Sequence, residues 1–296
     1  MSSLGLRAIM HNMTSPLLHE RTEKQLREYL ARPSHALLVT GASGLGKSLI
    51  LEWVASELLG KKIDSRNNAA IRYIEPDARQ TIPIEVIQNL RQFTKIQTTG
   101  KGIDRVIIIR DAECMSHEAE TALLKLLEEP PAGVVILLSA MSPTLLLETI
   151  RSRVTQIEII PPRKAVLAEY FDLKLESPEF QKAYSISQGA VGIMQRILRD
   201  GGVYQPLETA KSFVGLSMYE KLTRVDMLSK DRGDTLHFLE ALLTLYRILY
   251  HARAAKSDRE GVRTFHQKVE AVQATIESIA SNGSMKLQLD ALILHL

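Results

Sequence analysis

A glycine-rich segment near residue 45 limits the choice of fold more than any other feature of this 296-residue chain. It follows the pattern glycine, four residues, glycine, lysine, serine, and consists of Gly41, Ala42, Ser43, Gly44, Leu45, Gly46, Lys47 and Ser48. The apolar run 36–40 before it predicts a buried strand, and 48–55 after it predicts a helix. A glycine-rich turn without a ligand is the alternative, but this order of strand, loop and helix favours a site where backbone N–H groups surround phosphate oxygens. We predict that Lys47 reaches the outer phosphates and that the Ser48 hydroxyl helps to hold Mg²⁺.

Strand and helix signals alternate from the start of the chain to about residue 160. The predicted strands are Ala36–Thr40, Ala70–Ile74, Arg105–Ile109, Val134–Ser139 and Thr155–Ile159, and the predicted helices are Lys47–Leu59, Pro83–Phe93, Ser116–Glu129 and Pro143–Ile150. Most of these strands are continuous apolar runs, as expected for strands that are covered on both faces. The alternation predicts an α/β fold with a doubly wound parallel sheet.

The strand signals end at the proline pair 161–162, and the rest of the chain has only helical patterns. We predict three domains: a nucleotide-binding domain at 1–162, a helical lid at 163–203, and a C-terminal helical domain at 204–296. Within the last, the segment Leu236–Tyr250 has a wide apolar stripe. This stripe predicts a helix at the centre of a bundle, with a subunit contact as the alternative.

Composition narrows the class of protein. The chain has 37 basic and 34 acidic residues, and a net charge of +3 does not by itself argue for nucleic-acid binding. Its one cysteine, Cys114, allows neither an internal disulfide nor a cysteine-based zinc site. We see no apolar run of membrane-spanning length and no secretory signal in the first residues. A lone thiol fits a reducing compartment, so we expect a cytoplasmic location.

Three further segments carry a family resemblance: 105–115, 122–131 and 146–154, of which the last two include the strings ALLKLLEEPP and LLETIRSRV. In this order they resemble the ATPase subunits of sliding-clamp loaders, in the AAA+ class. Within that family the chain looks most like the delta-prime subunits of bacterial DNA polymerase III. The resemblance implies a RecA-like P-loop domain with a parallel sheet, a small helical lid and a C-terminal helical collar that serves in oligomerisation.

The chain departs from the family where hydrolysis takes place. An active member has Asp-Glu at the end of the third strand, and the aligned residues here are Arg110 and Asp111. A guanidinium has the wrong charge to support Mg²⁺, and Asp111 is shorter than the water-polarising Glu. The polar sensor position falls at 140–141, an alanine and a methionine, and the lid motif 188–193 contains no arginine. The chain is therefore expected to bind ATP or ADP with Mg²⁺ but to hydrolyse poorly, with Asp111 as a degenerate catalytic position.

Arg153 is the strongest candidate for a part in catalysis. The family places the arginine of its Ser-Arg-Cys motif in the nucleotide site of the neighbouring subunit, as an arginine finger, and Arg153 occupies that position. Without the resemblance, a salt-bridging surface arginine is the favoured interpretation. The implied partners are other loader subunits, the sliding clamp, and primed DNA bound through its phosphates.

Several interpretations remain open from the sequence. The four-cysteine zinc module of bacterial relatives is expected to be absent, since 60–68 contains no cysteine. Asp111 and Glu113 are read either as remnants of a hydrolytic site or as solvated carboxylates before a helix. The chain could instead be a self-sufficient AAA+ ATPase with Asp111 as its base, or a nucleotide-regulated scaffold outside replication.

Overall fold

A computed structural model of the chain describes residues 15–60, 68–77, 81–94, 102–202, 204–280 and 283–296. The segment 61–67, which covers most of the stretch where a zinc module is expected to be missing, lies outside the described residues, as do residues 1–14. The strands are β1 Ala36–Thr40, β2 Ile71–Ile74, β3 Arg105–Ile109, β4 Val134–Ala140 and β5 Thr155–Glu158. The helices of the first part are α1 Glu20–Ala31, α2 Lys47–Leu59, α3 Ile84–Thr94, α4 His117–Glu128 and α5 Glu148–Arg151.

The strands form a five-stranded parallel sheet in the order β2-β3-β4-β1-β5. Every residue of β1 and β4 is buried, whereas the edge strand β5 buries only one of its four residues. Alternate residues of the central strands face opposite cores. Leu38 and Ile107 pack with α3 and α4 on one face, and Leu37 and Ile108 pack with α1 and α2 on the other. The predicted α/β fold with a doubly wound parallel sheet is confirmed.

The prediction of one continuous helix at Pro143–Ile150 is wrong. The chain forms a 3₁₀ turn at Pro143–Leu145, passes through extended backbone, and begins the four-residue helix α5 only at Glu148. The reason is a contact from another element. The carboxylate of Glu120, on α4, accepts a hydrogen bond of 3.2 Å from the backbone N–H of Leu147. The N–H of Leu147 is therefore not free to form the backbone hydrogen bond that a continuous helix requires.

The remainder of the chain is helical: α6 Lys164–Tyr170, α7 Pro178–Ser187, α8 Val191–Arg199, α9 Gln205–Val214, α10 Met218–Leu228, α11 Arg232–Ala255, α12 Arg259–Ala280 and α13 Met285–His295. One hydrophobic core joins these helices, from Leu167 on α6 to Ile293 on α13. The long helix α11 is central to it, with Leu239, Leu242 and Tyr246 almost fully buried, as its apolar stripe predicts. None of the helices in the described part of the chain has the length and apolar character needed to cross a membrane.

Candidate functional site

The phosphate loop lies between the end of β1 and the start of α2. Gly44 and Gly46 have φ values of 78° and 82°, in the left-handed region where only glycine is free of strain. Gly46 is the N-cap of α2 and has no side chain to satisfy the first N–H groups of that helix. These groups are therefore available to an anion, as the loop pattern predicts.

Lys47 is turned back onto the loop. Its ammonium group donates hydrogen bonds to the carbonyls of Gly41, at 2.7 Å, and Ala42, at 3.3 Å. The lysine is 8% exposed, so its charge is solvated mainly by protein atoms. It is a buried cation at the place where the sequence predicts contact with the outer phosphates.

The start of α8 rests directly on the loop. The backbone N–H of Gly192 donates to the carbonyl of Gly44 at 2.8 Å. A Cβ atom on Gly44 would lie 2.4 Å from Cγ1 of Ile193. The absence of side chains at both glycines is therefore what allows this close approach.

Two of the cavities that border the loop meet at the start of α2. The first, of about 290 Å³, is lined by residues of the loop and of α2, by residues that follow β3 and β4, and by α11; they are Ser43, Gly44, Gly46, Lys47, Ser48, Leu49, Asp111, Glu113, Cys114, Met141, Gly233, Leu236 and His237. The second, of about 220 Å³, is more apolar and is lined by Pro16, Leu17, Leu45, Gly46, Leu49, Ile50, Tyr170, Val191, Gly192 and Gln195. They share Gly46 and Leu49, so a polar cavity and an apolar one meet at the first turn of α2.

Arg110, at the end of β3, forms ion pairs with Glu52 of α2 and with Glu75 beyond β2. Its guanidinium also lies over the ring of Tyr73, 5.6 Å from the centroid, and its side chain is only 12% exposed. The position where the sequence predicts the loss of a metal-supporting carboxylate is therefore taken by a cation that is committed to a structural network.

Asp111 follows in a left-handed conformation, with φ 48°. Its backbone N–H donates to the hydroxyl of Ser139 at 3.1 Å, its side chain is exposed, and the residue lines the polar cavity. Asp111 fits both interpretations that the sequence left open. It is a solvated carboxylate before a helix, and it also lines the cavity that contains Lys47 and Ser48.

Glu113 is not the solvated carboxylate that the second interpretation takes it to be. It is 5% exposed, and its Oε1 accepts a hydrogen bond of 3.0 Å from the backbone N–H of Met141. Its Oε2 is buried and has no hydrogen-bond partner within the described structure. Burial, with a smaller contribution from the charge of Asp111, raises the pKa of Glu113 to about 7. The sequence signal for the burial of Glu113 was the apolar character of its neighbours, residues 112 and 114–115.

A second carboxylate reaches the site from α11 and was not predicted. Glu240 lines a cavity of about 320 Å³ together with Ser43 of the phosphate loop. Removal from water raises the pKa of this half-buried group to about 7. A glutamate inside an apolar helical stripe was the only sequence signal for it.

The structure also describes the two segments that the sequence predicts to hold the sensing positions. Ala140 is fully buried at the end of β4, and Met141 presents its backbone carbonyl to the N–H of Gly41 at 3.2 Å. On helix α8, within the predicted lid, the arginines are Arg196 and Arg199, and both are exposed. Within the described residues, no group of three or more His, Cys, Asp or Glu side chains is arranged to hold a metal ion.

Arg153 lies at the surface, just beyond α5. Its Nη1 donates to the carbonyl of Thr149 at 2.9 Å and to the hydroxyl of Ser152 at 3.3 Å. Its Nη2 is 2.9 Å from Oε1 of Glu128, at the end of α4, and the side chain is 36% exposed. It lines none of the three cavities described beside the phosphate loop, so it does not act on this chain's own site in the arrangement seen here.

Residues 18–163 match the family described as DNA polymerase III, delta subunit. The chain is 28% identical over 190 residues to the DNA polymerase III subunit delta' of Pseudomonas aeruginosa, covering 58% of each chain. It is 24% identical over 214 residues to that of Escherichia coli, covering 66% of this chain and 63% of the relative. With replication factor C small subunit 2 of Pyrobaculum islandicum it shares 27% identity over 179 residues, covering 57% and 54%. The chain thus spans roughly half to three fifths of the length of these relatives.

Among solved structures, the chain is similar to a DNA polymerase III gamma subunit-related protein of Thermotoga maritima. The TM-score is 0.49 at 18% identity, and the similarity covers 93% of this chain and 98% of the other. A RuvB mutant of the same organism gives a TM-score of 0.46 at 16% identity, covering 93% and 88%.

Proposed function

Because residues 18–163 match the family described as DNA polymerase III, delta subunit, and the chain is similar to delta' subunits, we propose that it is one subunit of a hetero-oligomeric loader that places a sliding clamp on primed DNA. In this role it binds a nucleotide, hydrolyses it slowly or not at all, and supplies Arg153 to the site of a neighbour. The observation that carries the proposal is the pairing of an intact phosphate loop with an Arg110 that is fixed between two glutamates.

The described residues fit a nucleotide. The open N–H groups at the start of α2 and the buried charge of Lys47 suit the phosphates. The adjoining apolar cavity, with Leu17, Tyr170 and Val191 in its lining, suits a base. We assign the phosphates of ATP or ADP to residues 41–48, and one Mg²⁺ ligand to the hydroxyl of Ser48. The bound ion would neutralise phosphate charge.

Slow hydrolysis follows from charge and geometry. Arg110 offers a metal ion a positive charge and is already paired. Asp111 is the carboxylate left to orient a water molecule, and its shorter side chain places the oxygen less well than glutamate would. Binding and hydrolysis use different residues, so the loss of one is compatible with the retention of the other.

The surroundings of Arg153 support a role between subunits. Its partners Glu128 and Thr149 come from its own chain and hold the guanidinium at the surface, where a neighbouring molecule can reach it. Arginine fingers supplied in this way are worth about 10³–10⁵ in rate in well-studied phosphoryl-transfer systems. The exposed pair with Glu128 is weak enough to be exchanged for contact with a phosphate.

The C-terminal bundle offers a surface for assembly. Tyr219 and Met227 on α10, and Leu287 and Leu294 on α13, are each more than 60% exposed. Exposed apolar side chains on two adjacent helices are typical of surfaces that other subunits cover. We therefore assign residues 204–296 to the oligomeric collar, 163–203 to the lid and 1–162 to the nucleotide-binding domain, in a cytoplasmic complex that contacts DNA through phosphates.

The test is reconstitution of the loader with Arg153→Ala in this chain. We expect ATP turnover by the partner subunits to fall by about a hundredfold or more, while assembly is retained. Arg199→Ala serves as the control, because it removes an exposed arginine that pairs with its neighbour Asp200. Turnover that is equal in the two reconstituted complexes would exclude the finger.

One observation favours a second candidate function. Asp111 lines the same cavity as Lys47 and Ser48, which is where the base of a self-sufficient ATPase would stand. The measurement that separates the two is ATP turnover by the purified chain alone, with and without DNA, against a Lys47→Ala chain as the blank. If the purified chain hydrolyses ATP and the Lys47→Ala chain does not, the self-sufficient ATPase is favoured.

A further inference from the structure

Two glutamates of helix α4 hold the segment that ends in Arg153. The carboxylate of Glu120 accepts a hydrogen bond of 3.2 Å from the backbone N–H of Leu147, which is the N-cap of α5. About two turns further along α4, Oε1 of Glu128 lies 2.9 Å from Nη2 of Arg153, just beyond the end of α5. Helix α4 therefore holds this segment at both of its ends.

The two contacts differ in burial, and therefore in what they can do. Glu120 is buried, so its hydrogen bond is part of the packed structure. The side chain of Glu128 is 50% exposed, and that of Arg153 is also open to solvent. An ion pair between side chains this exposed contributes little to stability and can open without disturbing the fold. The contact at Arg153 is therefore able to exchange its partner.

The guanidinium of Arg153 is oriented by uncharged groups as well as by Glu128. Its Nη1 donates to the backbone carbonyl of Thr149 and to the hydroxyl of Ser152. These acceptors hold Nη1 whether Nη2 contacts a carboxylate or a phosphate. Of these three partners, Glu128 is the one whose negative charge a phosphate would replace.

The position of Glu128 does not favour the helix on which it lies. It is the last residue of α4, where the helix dipole places partial negative charge. An acidic side chain is unfavourable there, and the ion pair with Arg153 offsets this effect. A carboxylate beside an arginine finger also repels the phosphate that the finger has to reach. The charge of Glu128 thus stabilises the finger only while no phosphate is near.

We propose that Glu128 is a positioning residue that restrains Arg153 on its own chain, and that it has to release the guanidinium before Arg153 enters the nucleotide site of a neighbouring subunit. This inference rests on the proposed function and adds a restraint to it. Loss of the charge at position 128 removes the competitor for Nη2 and leaves the contacts of Nη1 in place. The finger then reaches the phosphate more readily, so hydrolysis in the neighbour becomes faster.

The test is a double-mutant comparison in the reconstituted loader, with kcat measured at saturating ATP in the presence of clamp and primed DNA. We expect Glu128→Gln to raise kcat about two- to fivefold, which is what an exposed ion pair is worth. In an Arg153→Ala chain the same substitution is expected to change nothing, because the residue on which Glu128 acts is missing. Glu129→Gln, the same change at the next exposed position, is the control and is expected to leave kcat unchanged.

The possible outcomes separate the restraint from the finger. If Arg153→Ala lowers kcat while Glu128→Gln and Glu129→Gln behave alike, the restraint is overturned and the finger remains. A lower kcat in Glu128→Gln also overturns the restraint, since Glu128 would then hold Arg153 in its active orientation. An increase of the same size in the Arg153→Ala chain overturns it too, because Glu128 would act by another route. If Arg153→Ala leaves kcat unchanged, the proposed finger fails and the restraint fails with it.

Discussion

Replacement of Glu113 by glutamine is expected to stabilise this protein at alkaline pH. The carboxylate is 5% exposed, and Oε2 has no hydrogen-bond partner within the described structure. Glutamine has the same shape and keeps an oxygen for the N–H of Met141, which Oε1 now binds at 3.0 Å. The substitution therefore removes a buried charge with little change in packing.

The magnitude follows from the pKa of Glu113. Raising it from 4.5 to about 7 means that the ionised side chain costs the folded state about 3 kcal/mol relative to the unfolded chain. Because the pKa of the folded state is the higher one, the folded protein binds more protons between these two values. The stability that the neutral group contributes is complete below about pH 4.5 and is lost as the pH rises through 7. A glutamine does not titrate, so it escapes this loss.

The assay is urea denaturation of both proteins at pH 5 and pH 8.5. We expect the difference in unfolding free energy, Glu113→Gln minus the unsubstituted chain, to be about 2 to 3 kcal/mol larger at pH 8.5 than at pH 5. An unpaired amide nitrogen would lower the stability of the variant equally at both pH values, so it does not affect this comparison. Glu176→Gln, an exposed change of the same charge, is expected to show no such trend.

The reasoning is refuted if the stabilities of Glu113→Gln and the unsubstituted chain change in parallel between the two pH values. That outcome would mean that the carboxylate is solvated or paired in solution. The burial of Glu113 beside the polar cavity would then be wrong.

Two other substitutions test the packing of the loop. Arg110→Ala should destabilise the protein by about 2 kcal/mol or more, because it leaves two carboxylates without their shared cation; an unchanged urea midpoint would contradict this. Gly44→Ala should cost about 2 kcal/mol or more, from left-handed backbone at φ 78° and from a Cβ atom 2.4 Å from Ile193. Gly46→Ala has a similar φ of 82° and nothing within 4 Å of its Cβ, so equal losses in the two variants would rule out the contact with α8.

The sequence predicted the sheet well because its signals are local. The limits of β1 and β3 agree with the structure, and Ser116 is the N-cap of α4, accepting from the N–H of Ala119. The loop was predictable for the same reason, since glycines at 44 and 46 permit the left-handed backbone that the turn needs.

The failures have a common physical cause. The break in the helix predicted at 143–150 depends on Glu120, which reaches the N–H of Leu147 from another helix. The burial of Glu113 depends on the strand β4 and the residue after it. The apolar neighbours of Glu113 indicate burial, but no pattern within either segment identifies the distant partner, because such contacts arise only when separate elements pack together.

The amino-acid sequence by itself predicted the phosphate loop, the parallel sheet, the loss of a metal-supporting carboxylate at position 110 and the family resemblance. These features depend on backbone freedom, on hydrophobic periodicity and on the identity of single residues. Only the tertiary structure decided that Arg110 is tied between two glutamates, that Arg153 stays at the surface, and that Glu240 lines a cavity with Ser43 of the phosphate loop. The physical reason is that the charge state and reach of a side chain depend on which distant elements exclude water around it, and packing alone fixes that.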